Sequence, residues 1–535
     1  MPIAPASADS LWKKVHAFAN RYEVFFALWL LVIVLRLPSL AEPYWYGDEA
    51  IYLTIGNALR HGQDMYAQIV DHKTPFIYYF AMVPNQFWFR ILMTSWMMAT
   101  TSFFYGLAHK FFKTPLAIFS SVVFVLLTSW SSLEGNIPNG ELFVMGFILA
   151  GLYIFSQTTF WTNFFQHEHK KINVGDYRVS FLAGVISAGG ILTKVPGIFD
   201  VLALGSVFIW LFALGLITWF FRRPERAPEW KSSLLGGMAA LAGIALPLLL
   251  SVLYYTFRGT FDAYLQFGLL YNFHYTGNWT LPFAHITWLA QLFTLPGKGL
   301  LTIIFFLLSS GILLKYPDQR RAIWLAWWTW LALFASLLSN RPYPHYMLQI
   351  VPPLALLIIM LWERKTRWLS KIILLIPVMA TISSLYLLDF QLYPFLPYYQ
   401  NYVKFMTGRM DTQQYAQSFN TLVIQNDEVA QAIVDNSDPE DRLFIWGTNP
   451  MLYALTKRVP ACRFTVAFHI HDLKVYDQTL SEIKTAKPEY IVVMKNEQKW
   501  PEFSDYLESH YIFSFETTDM LVYRKSSLTS LLLLQ

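Results

Sequence analysis

Val24-Phe25-Phe26-Ala27-Leu28-Trp29-Leu30-Leu31-Val32-Ile33-Val34-Leu35-Arg36-Leu37-Pro38-Ser39-Leu40-Ala41 is an apolar run interrupted by one charge, Arg36. A helix of about 20 such residues crosses the roughly 30 Å hydrocarbon core of a bilayer. The polar residues before it, among them Lys13, Lys14 and Arg21, are not followed by a short apolar core with a small-residue cleavage pattern. The run therefore reads as a retained first span and not as a removed signal peptide. Ten further runs follow, near 87–108, 115–131, 141–159, 179–193, 197–221, 233–256, 299–315, 322–339, 345–362 and 371–389. Only Thr193 to Gly197 separates the fifth run from the sixth, so these two also read as one re-entrant pair. The pattern predicts an α-helical polytopic membrane protein of about eleven spans. Composition agrees, because only 14% of the residues are charged, against about 25% in soluble domains, too few to clothe a wet surface.

Charge placement orients these spans. With the N-terminus in the cytoplasm, the inner loops and tails of the first 390 residues hold nineteen Lys and Arg, including Lys170, Lys171, Arg222, Arg223 and Arg226. The outer side holds eight: Arg36, Arg60, Lys73, Arg90, Lys194, Arg258, Lys298 and Arg341. That asymmetry follows the positive-inside rule and places the loops 42–86 and 257–298 outside the cytoplasm. An odd number of spans puts the C-terminal part there too, in a plasma or inner membrane. Glu49 to Arg60 carries Ile51, Ile55, Ala58 and Leu59 on one helical face, as a helix lying along the membrane surface would.

Composition changes at residue 391, where charge becomes frequent. Arg442 to Gly447 and Tyr490 to Met494 read as strands, Pro450 to Thr456 as a helix capped by Asn449, and Tyr511 to Arg524 as a closing hairpin. The chain thus divides into a membrane domain, 1–390, with interfacial helices in loop 42–86, and a small extracytoplasmic α/β domain, 391–535. A net charge of +5 is too small to argue for nucleic acid, and one cysteine, Cys462, excludes an internal disulfide. No Gly-x-Gly-x-x-Gly follows the strand at Phe444, so nucleotide binding is rejected.

The chemistry concentrates where the first span leaves the membrane, at Tyr44-Trp45-Tyr46-Gly47-Asp48-Glu49-Ala50, then Tyr66 and Asp71-His72-Lys73-Thr74-Pro75. Two acids at a helix start also serve simply as caps facing the helix dipole. Their company with a lysine and aromatics in one loop beside lipid headgroups points further, to a site for a lipid phosphate. His167-Glu168-His169 reads as a charged loop. His469-Ile470-His471 would bring two imidazoles to one face of a strand, but without a third placed ligand it is not a metal site.

In order and spacing these residues resemble the C-superfamily membrane glycosyltransferases, and within them the protein O-mannosyltransferase and aminoarabinose transferase branch. The resemblance rests on Gly47-Asp48-Glu49, Gly62 to Tyr66 and Lys73-Thr74-Pro75. It continues through Asn139-Gly140-Glu141, Thr193-Lys194-Val195-Pro196-Gly197 and Arg341-Pro342-Tyr343-Pro344-His345-Tyr346. Thr74 departs from it, since that position often holds a second proline. The resemblance implies transfer of a monosaccharide from a polyprenyl-phosphate donor to a protein, lipid or glycan acceptor outside the cytoplasm. Asp48 would be the base, and Glu49 a second choice or an acceptor-orienting neighbour. Lys73 would meet the donor phosphate, with Arg341, His345 and Tyr346 as further donor contacts. Asn139, Glu141, His72 and Tyr66 would line the cavity or hold the acceptor. For Arg341, His345, Asn139 and Glu141, interfacial anchoring or helix capping is the plainer reading. One carboxylate should suffice, because a phosphate leaves as a stable anion without protonation, and a single displacement inverts the anomeric centre. No cofactor is implied, though Asp48 and Glu49 leave a divalent cation open. Two rival readings remain: a transporter or flippase of a lipid-linked sugar, which would place charges at mid-membrane, and a non-catalytic receptor or scaffold.

Overall fold

Long apolar helices dominate the first 390 residues of the computed structural model, which describes residues 8–166, 168, 170–221, 227–277 and 279–526. The basic residues Arg222, Arg223 and Arg226, and His167 and His169, lie outside the described residues. Helices occupy Ala8–Arg36, Gln86–Phe111, Thr114–Thr128, Gly140–Phe155, Val174–Thr193, Gly197–Phe221, Ala227–Phe257, Leu295–Lys315, Arg320–Ser336, Val351–Trp362 and Trp368–Leu387. Among the described residues, six stretches are long and apolar enough to cross a membrane: Tyr22–Ala41, Gly197–Phe220, Trp230–Phe257, Leu295–Lys315, Pro344–Trp362 and Trp368–Leu387. Gly140–Phe155 and Thr159–Phe165, bent by 85°, make a seventh if taken together. The other helices carry charge or are shorter. Gln86–Phe111 holds Arg90 and Lys110, and Arg320–Ser336 opens on two arginines. A helix shielded by its neighbours can keep such residues where a lipid-facing one cannot. The chain is an integral membrane protein.

Charges inside the helical body are matched by fixed protein partners. The Arg36 guanidinium donates to the carbonyls of Thr128 (2.9 Å) and Gly135 (2.6 Å). Asp200 accepts from Trp328 Nε1 and Gln349 Nε2, both at 2.7 Å. Trp324 and Trp328 are fully buried, as packing residues.

Glu49 belongs to a second frame. Arg90 donates to it from Nε (2.9 Å) and Nη2 (2.6 Å), and Gln86 Nε2 donates at 3.0 Å. Glu42 stands 3.3 Å from the same guanidinium and accepts from Asn136 and Tyr398. All three charged side chains are buried. This ion cluster ties the root of the first loop to the second long helix.

Helix Gly47–Arg60 forms, but its setting differs from a helix lying on lipid. It is buried continuously from Glu49 to Ala58. Helix Phe76–Phe80 and helix Met451–Thr456 pack on it. Asn57 Nδ2 donates to the Lys457 carbonyl at 2.9 Å, and a Cβ on Gly56 would overlap the Ala81 carbonyl. The helix read as lying on lipid is therefore buried within the protein, with helix Met451–Thr456 among its neighbours. An interfacial character appears instead at Phe395–Met406, just past the last long helix. There Leu396, Val403 and Met406 are exposed, while Tyr398 and Tyr399 anchor to Glu42 and the Leu35 carbonyl.

Beyond it, β1 (Leu443–Trp446), β2 (Tyr490–Met494), β3 (Tyr511–Glu516) and β4 (Met520–Lys525) form one sheet in the order β1-β2-β4-β3. β1 and β2 run parallel and the other pairs antiparallel. Asn449 is not the cap of the helix after β1. That helix starts after Pro450, and Asn449 Nδ2 instead donates to Asn426 Oδ1 at 2.7 Å. His469 and His471 lie on a helix, Ala467–Leu473, not a strand. At helical pitch they diverge, and His471 turns to Tyr476 and Glu497.

Removing Arg90 would strand two buried carboxylates. Arg90→Met is expected to lower stability by about 3–5 kcal/mol, read as a fall in the unfolding temperature of the purified protein. Adding Glu42→Gln and Glu49→Gln is expected to restore much of that loss.

Candidate active site

Asp48 lies in the first turn of helix Gly47–Arg60, where exposed amide dipoles favour an acid. Tyr52, one turn on, donates its hydroxyl to Asp48 Oδ2 at 3.1 Å. Lys73 comes from the end of the same loop and is buried. The backbone there is held from both sides. Tyr66 OH donates to the Lys73 carbonyl (2.7 Å), and the Lys73 amide donates to Tyr78 OH (3.2 Å). Thr74, at the position of the missing proline, spends its hydroxyl on the Ile191 carbonyl at 2.9 Å. So fixed, Lys73 Nζ lies 3.4 Å from Asp48 Oδ2, 3.6 Å from Asp71 Oδ2 and 5.0 Å from the centre of the Tyr52 ring.

Burial pushes the Asp48 carboxyl up, but the Lys73 ammonium opposite, with His345 and Lys194 adding to it, outweighs that, so Asp48 sits below the ordinary carboxylate value. Asp71 is lowered further for the same reason, with His72 and His469 adding to the effect of Lys73. Burial works against the Lys73 charge, yet the two carboxylates raise its pKa well above the usual lysine value. At neutral pH the trio is one ammonium between two carboxylates.

A cleft opens beside Lys73. Its wall includes His72, Lys73, Glu141, Lys194, Tyr275 and Tyr346. Of the residues expected at the site, the structure thus brings His72, Lys73, Glu141 and Tyr346 to one cavity, with Asp48 ion-paired to Lys73 at its edge. Glu141 is paired with Lys194, whose ammonium stands 4.4 Å above the Tyr346 ring. Others are placed differently. Glu49 faces Arg90, so it neither shares a base role with Asp48 nor ligates a cation beside it. The His345 imidazole is bound to Glu134, with Tyr46 OH donating to Glu134 at 2.6 Å, and so is already engaged and not open to a phosphate. Arg341 lies behind the wall with its guanidinium carbon 3.9 Å from the centre of the Tyr275 ring, on which His72 also stacks. Asn139, just before helix Gly140–Phe155, is wholly buried and donates to the Glu134 carbonyl at 3.2 Å, so it does not line the cavity. Tyr66 is likewise buried and acts through its bond to the Lys73 carbonyl.

Asp71, His469, Lys194 and Glu134 were not singled out as site residues from the sequence. Asp71 was legible as the neighbour of His72-Lys73. His469 was weighed with His471 as a metal pair and set aside for want of a further ligand, because its partner lies 397 positions away. Its Nε2 stands 3.3 Å from His72 Nδ1 and 3.4 Å from Asp71 Oδ1, and His72 Nδ1 is 2.9 Å from that same oxygen. Donors around a tetrahedral cation with bonds of about 2.0–2.2 Å stand about 3.3–3.6 Å apart. Asp71 Oδ1 has no aligned hydrogen bond despite being buried. Burial lowers the His469 pKa to about 4, which keeps the imidazole neutral, as a metal ligand must be. These three side chains can hold a divalent cation.

Elemental analysis of the purified protein checks this. About one zinc-type ion per chain is expected, lost in His469→Ala and His72→Ala, with a lower unfolding temperature after chelation. Wild-type protein without metal, and with an unfolding temperature indifferent to chelators, would remove the site.

No family model matches the chain, and no curated protein matches it. Among solved structures, the crystal structure of ArnT from Cupriavidus metallidurans bound to undecaprenyl phosphate is 14% identical. It superposes with a TM-score of 0.53 over 95% of this chain and 99% of that one. The apo state of the same protein gives 14% identity and a TM-score of 0.53, covering 95% and 98%. An oligosaccharyltransferase from Archaeoglobus fulgidus, 14% identical over 96% of this chain and 75% of its own, reaches a TM-score of only 0.39, too loose to bear on the fold. The chain has the fold seen in the two ArnT structures.

Proposed function

We propose that the protein is a glycosyltransferase that moves a monosaccharide from a polyprenyl phosphate to an acceptor hydroxyl or amine. The observation that carries this reading is the Asp48–Lys73 pair at the edge of a cleft lined by a second lysine and a tyrosine. The acceptor oxygen or nitrogen attacks the anomeric carbon and its proton passes to Asp48. The bond from that carbon to the phosphate oxygen breaks, and the lipid phosphate leaves as an anion beside Lys73. One displacement inverts the anomeric centre. Before the donor binds, Lys73 holds Asp48 in its weakest basic state. A phosphate drawn to Lys73 shares that ammonium and leaves the half-buried carboxylate a better proton acceptor, so donor binding readies the base. Charge placement supports a cytoplasmic N-terminus, an eleven-span membrane domain and an outer C-terminal domain that covers the first loop. The fixed partners of Arg36 and Asp200 favour an enzyme over an ion-coupled transporter.

Purified protein given a radiolabelled polyprenyl-phosphate sugar and a pool of membrane acceptors is expected to release polyprenyl phosphate. Asp48→Asn should cut turnover by about 10²–10⁴-fold, the usual worth of a positioned base. Undiminished turnover would sink the assignment of Asp48. Label crossing a sealed vesicle with its sugar–phosphate bond intact would point to transport.

In kcat/KM, which reports the donor-free enzyme, the acid limb should fall below the ordinary carboxylate pKa, because Lys73 there holds the Asp48 value down. In Lys73→Gln the residual activity should show that acid limb moved to higher pH, since burial then acts on Asp48 unopposed by the ammonium. An unmoved limb in the pH–rate profile would show that Lys73 does not govern Asp48.

A further inference from the structure

We propose that Lys194 is a second cation for the leaving phosphate and that Glu141 tempers its grip; this rests on the donor reading above. Lys194 stands in the short break between helices Val174–Thr193 and Gly197–Phe221, with an extended backbone at φ −157°. Its ammonium meets Glu141, in the first turn of helix Gly140–Phe155, and the face of Tyr346. All three line the same cleft as Lys73. An ammonium has three donors, and the carboxylate and the ring leave one for a ligand in the cleft.

The charge balance calls for such a donor. A sugar-linked polyprenyl phosphate is a diester with one negative charge. The departing monoester approaches two, its second pKa being about 6. Charge therefore grows on the phosphate as the bond breaks, and cations placed for it lower the barrier. Lys73 is already shared by two carboxylates, whereas Lys194 answers to one.

Glu141 is not bound as a purely structural partner would be. Its Oε2 is buried with no hydrogen-bond partner. Glu49, by contrast, has both oxygens satisfied by Arg90 and Gln86. A half-satisfied carboxylate on the cleft wall weakens the hold of Lys194 on an anion, which lets the product go.

The test uses the full-length protein in nanodiscs at pH 8, with farnesyl phosphate as the monoester probe and farnesyl methyl phosphate as the diester. Inorganic phosphate is the control for headgroup binding without lipid. Lys194→Gln is expected to weaken the monoester by about tenfold or more and the diester far less, a charged hydrogen bond being worth that much. Lys194→Arg should retain both. Glu141→Gln should tighten the monoester several-fold, a sign that a merely structural ion pair would not give. Equal loss of both probes in Lys194→Gln, no change in it, or weaker monoester binding in Glu141→Gln would overturn the proposal. If Lys194→Gln does not fold, the direction of the Glu141→Gln effect decides alone. Wild-type protein that binds neither lipid probe, or no better than inorganic phosphate, would refute the donor reading and this proposal with it. Wild-type binding with unresponsive variants would refute only the role of Lys194.

Discussion

The ammonium of Lys73, buried between Asp48 and Asp71, is the interaction on which the site hangs. An ammonium out of water is costly unless it is paired and hydrogen-bonded, so every device around it serves to keep its two carboxylates close. Tyr66 and Tyr78 fix its backbone, and Tyr52 and Tyr78 each hold one of the acids. Asp71 has two faces. One oxygen turns to Lys73 and Tyr78, the other to the imidazoles of His72 and His469. Whatever occupies that second face sets how much of Asp71 remains for Lys73, and so how firmly Lys73 holds Asp48.

The same logic recurs on a larger scale. Glu42, Glu49 and Arg90 form a buried cluster whose oxygens and nitrogens are nearly all spoken for. It gives the loop a rigid root, against which the softer trio at Lys73 can exchange partners. Two neighbouring acids, Asp48 and Glu49, thus divide their labour by direction alone. Successive residues on a helix point about 100° apart, so one faces the cleft and the other the helical body.

Much of this was legible in the sequence. Long apolar runs mark the helices because a bilayer demands length and apolarity together. The Gly-Asp-Glu and Lys-Thr-Pro pairing marks the loop, since its residues sit within one short stretch. What escaped was whatever depends on distant segments meeting. The helix Glu49 to Arg60 has the pattern of a surface helix, and nothing local says that residues near 455 will cover it. His345 and Arg341 were expected to contact the donor, because their partners, Glu134 and Tyr275, are remote in sequence. Asp71 was visible yet unassigned, because its worth lies in touching Lys73 and His469 at once. The run at 87–108 was legible as helix Gln86–Phe111 despite Arg90, a charge that only tertiary shielding tolerates.

The bridge from His72 to His469, with Val70 donating its amide to the Arg463 carbonyl at 2.8 Å, joins chain segments made at very different moments. At roughly 5–20 residues per second of synthesis, their separation corresponds to about 20–80 s. During that interval the segment bearing Asp48 and Lys73 exists without the segment that roofs it, which is still being translated. The nascent protein therefore lacks the contacts that cover the second face of Asp71 until the residues near 469 have been made. A chain that stops before them would keep the long helices of the first 390 residues and still lack the imidazole that faces Asp71.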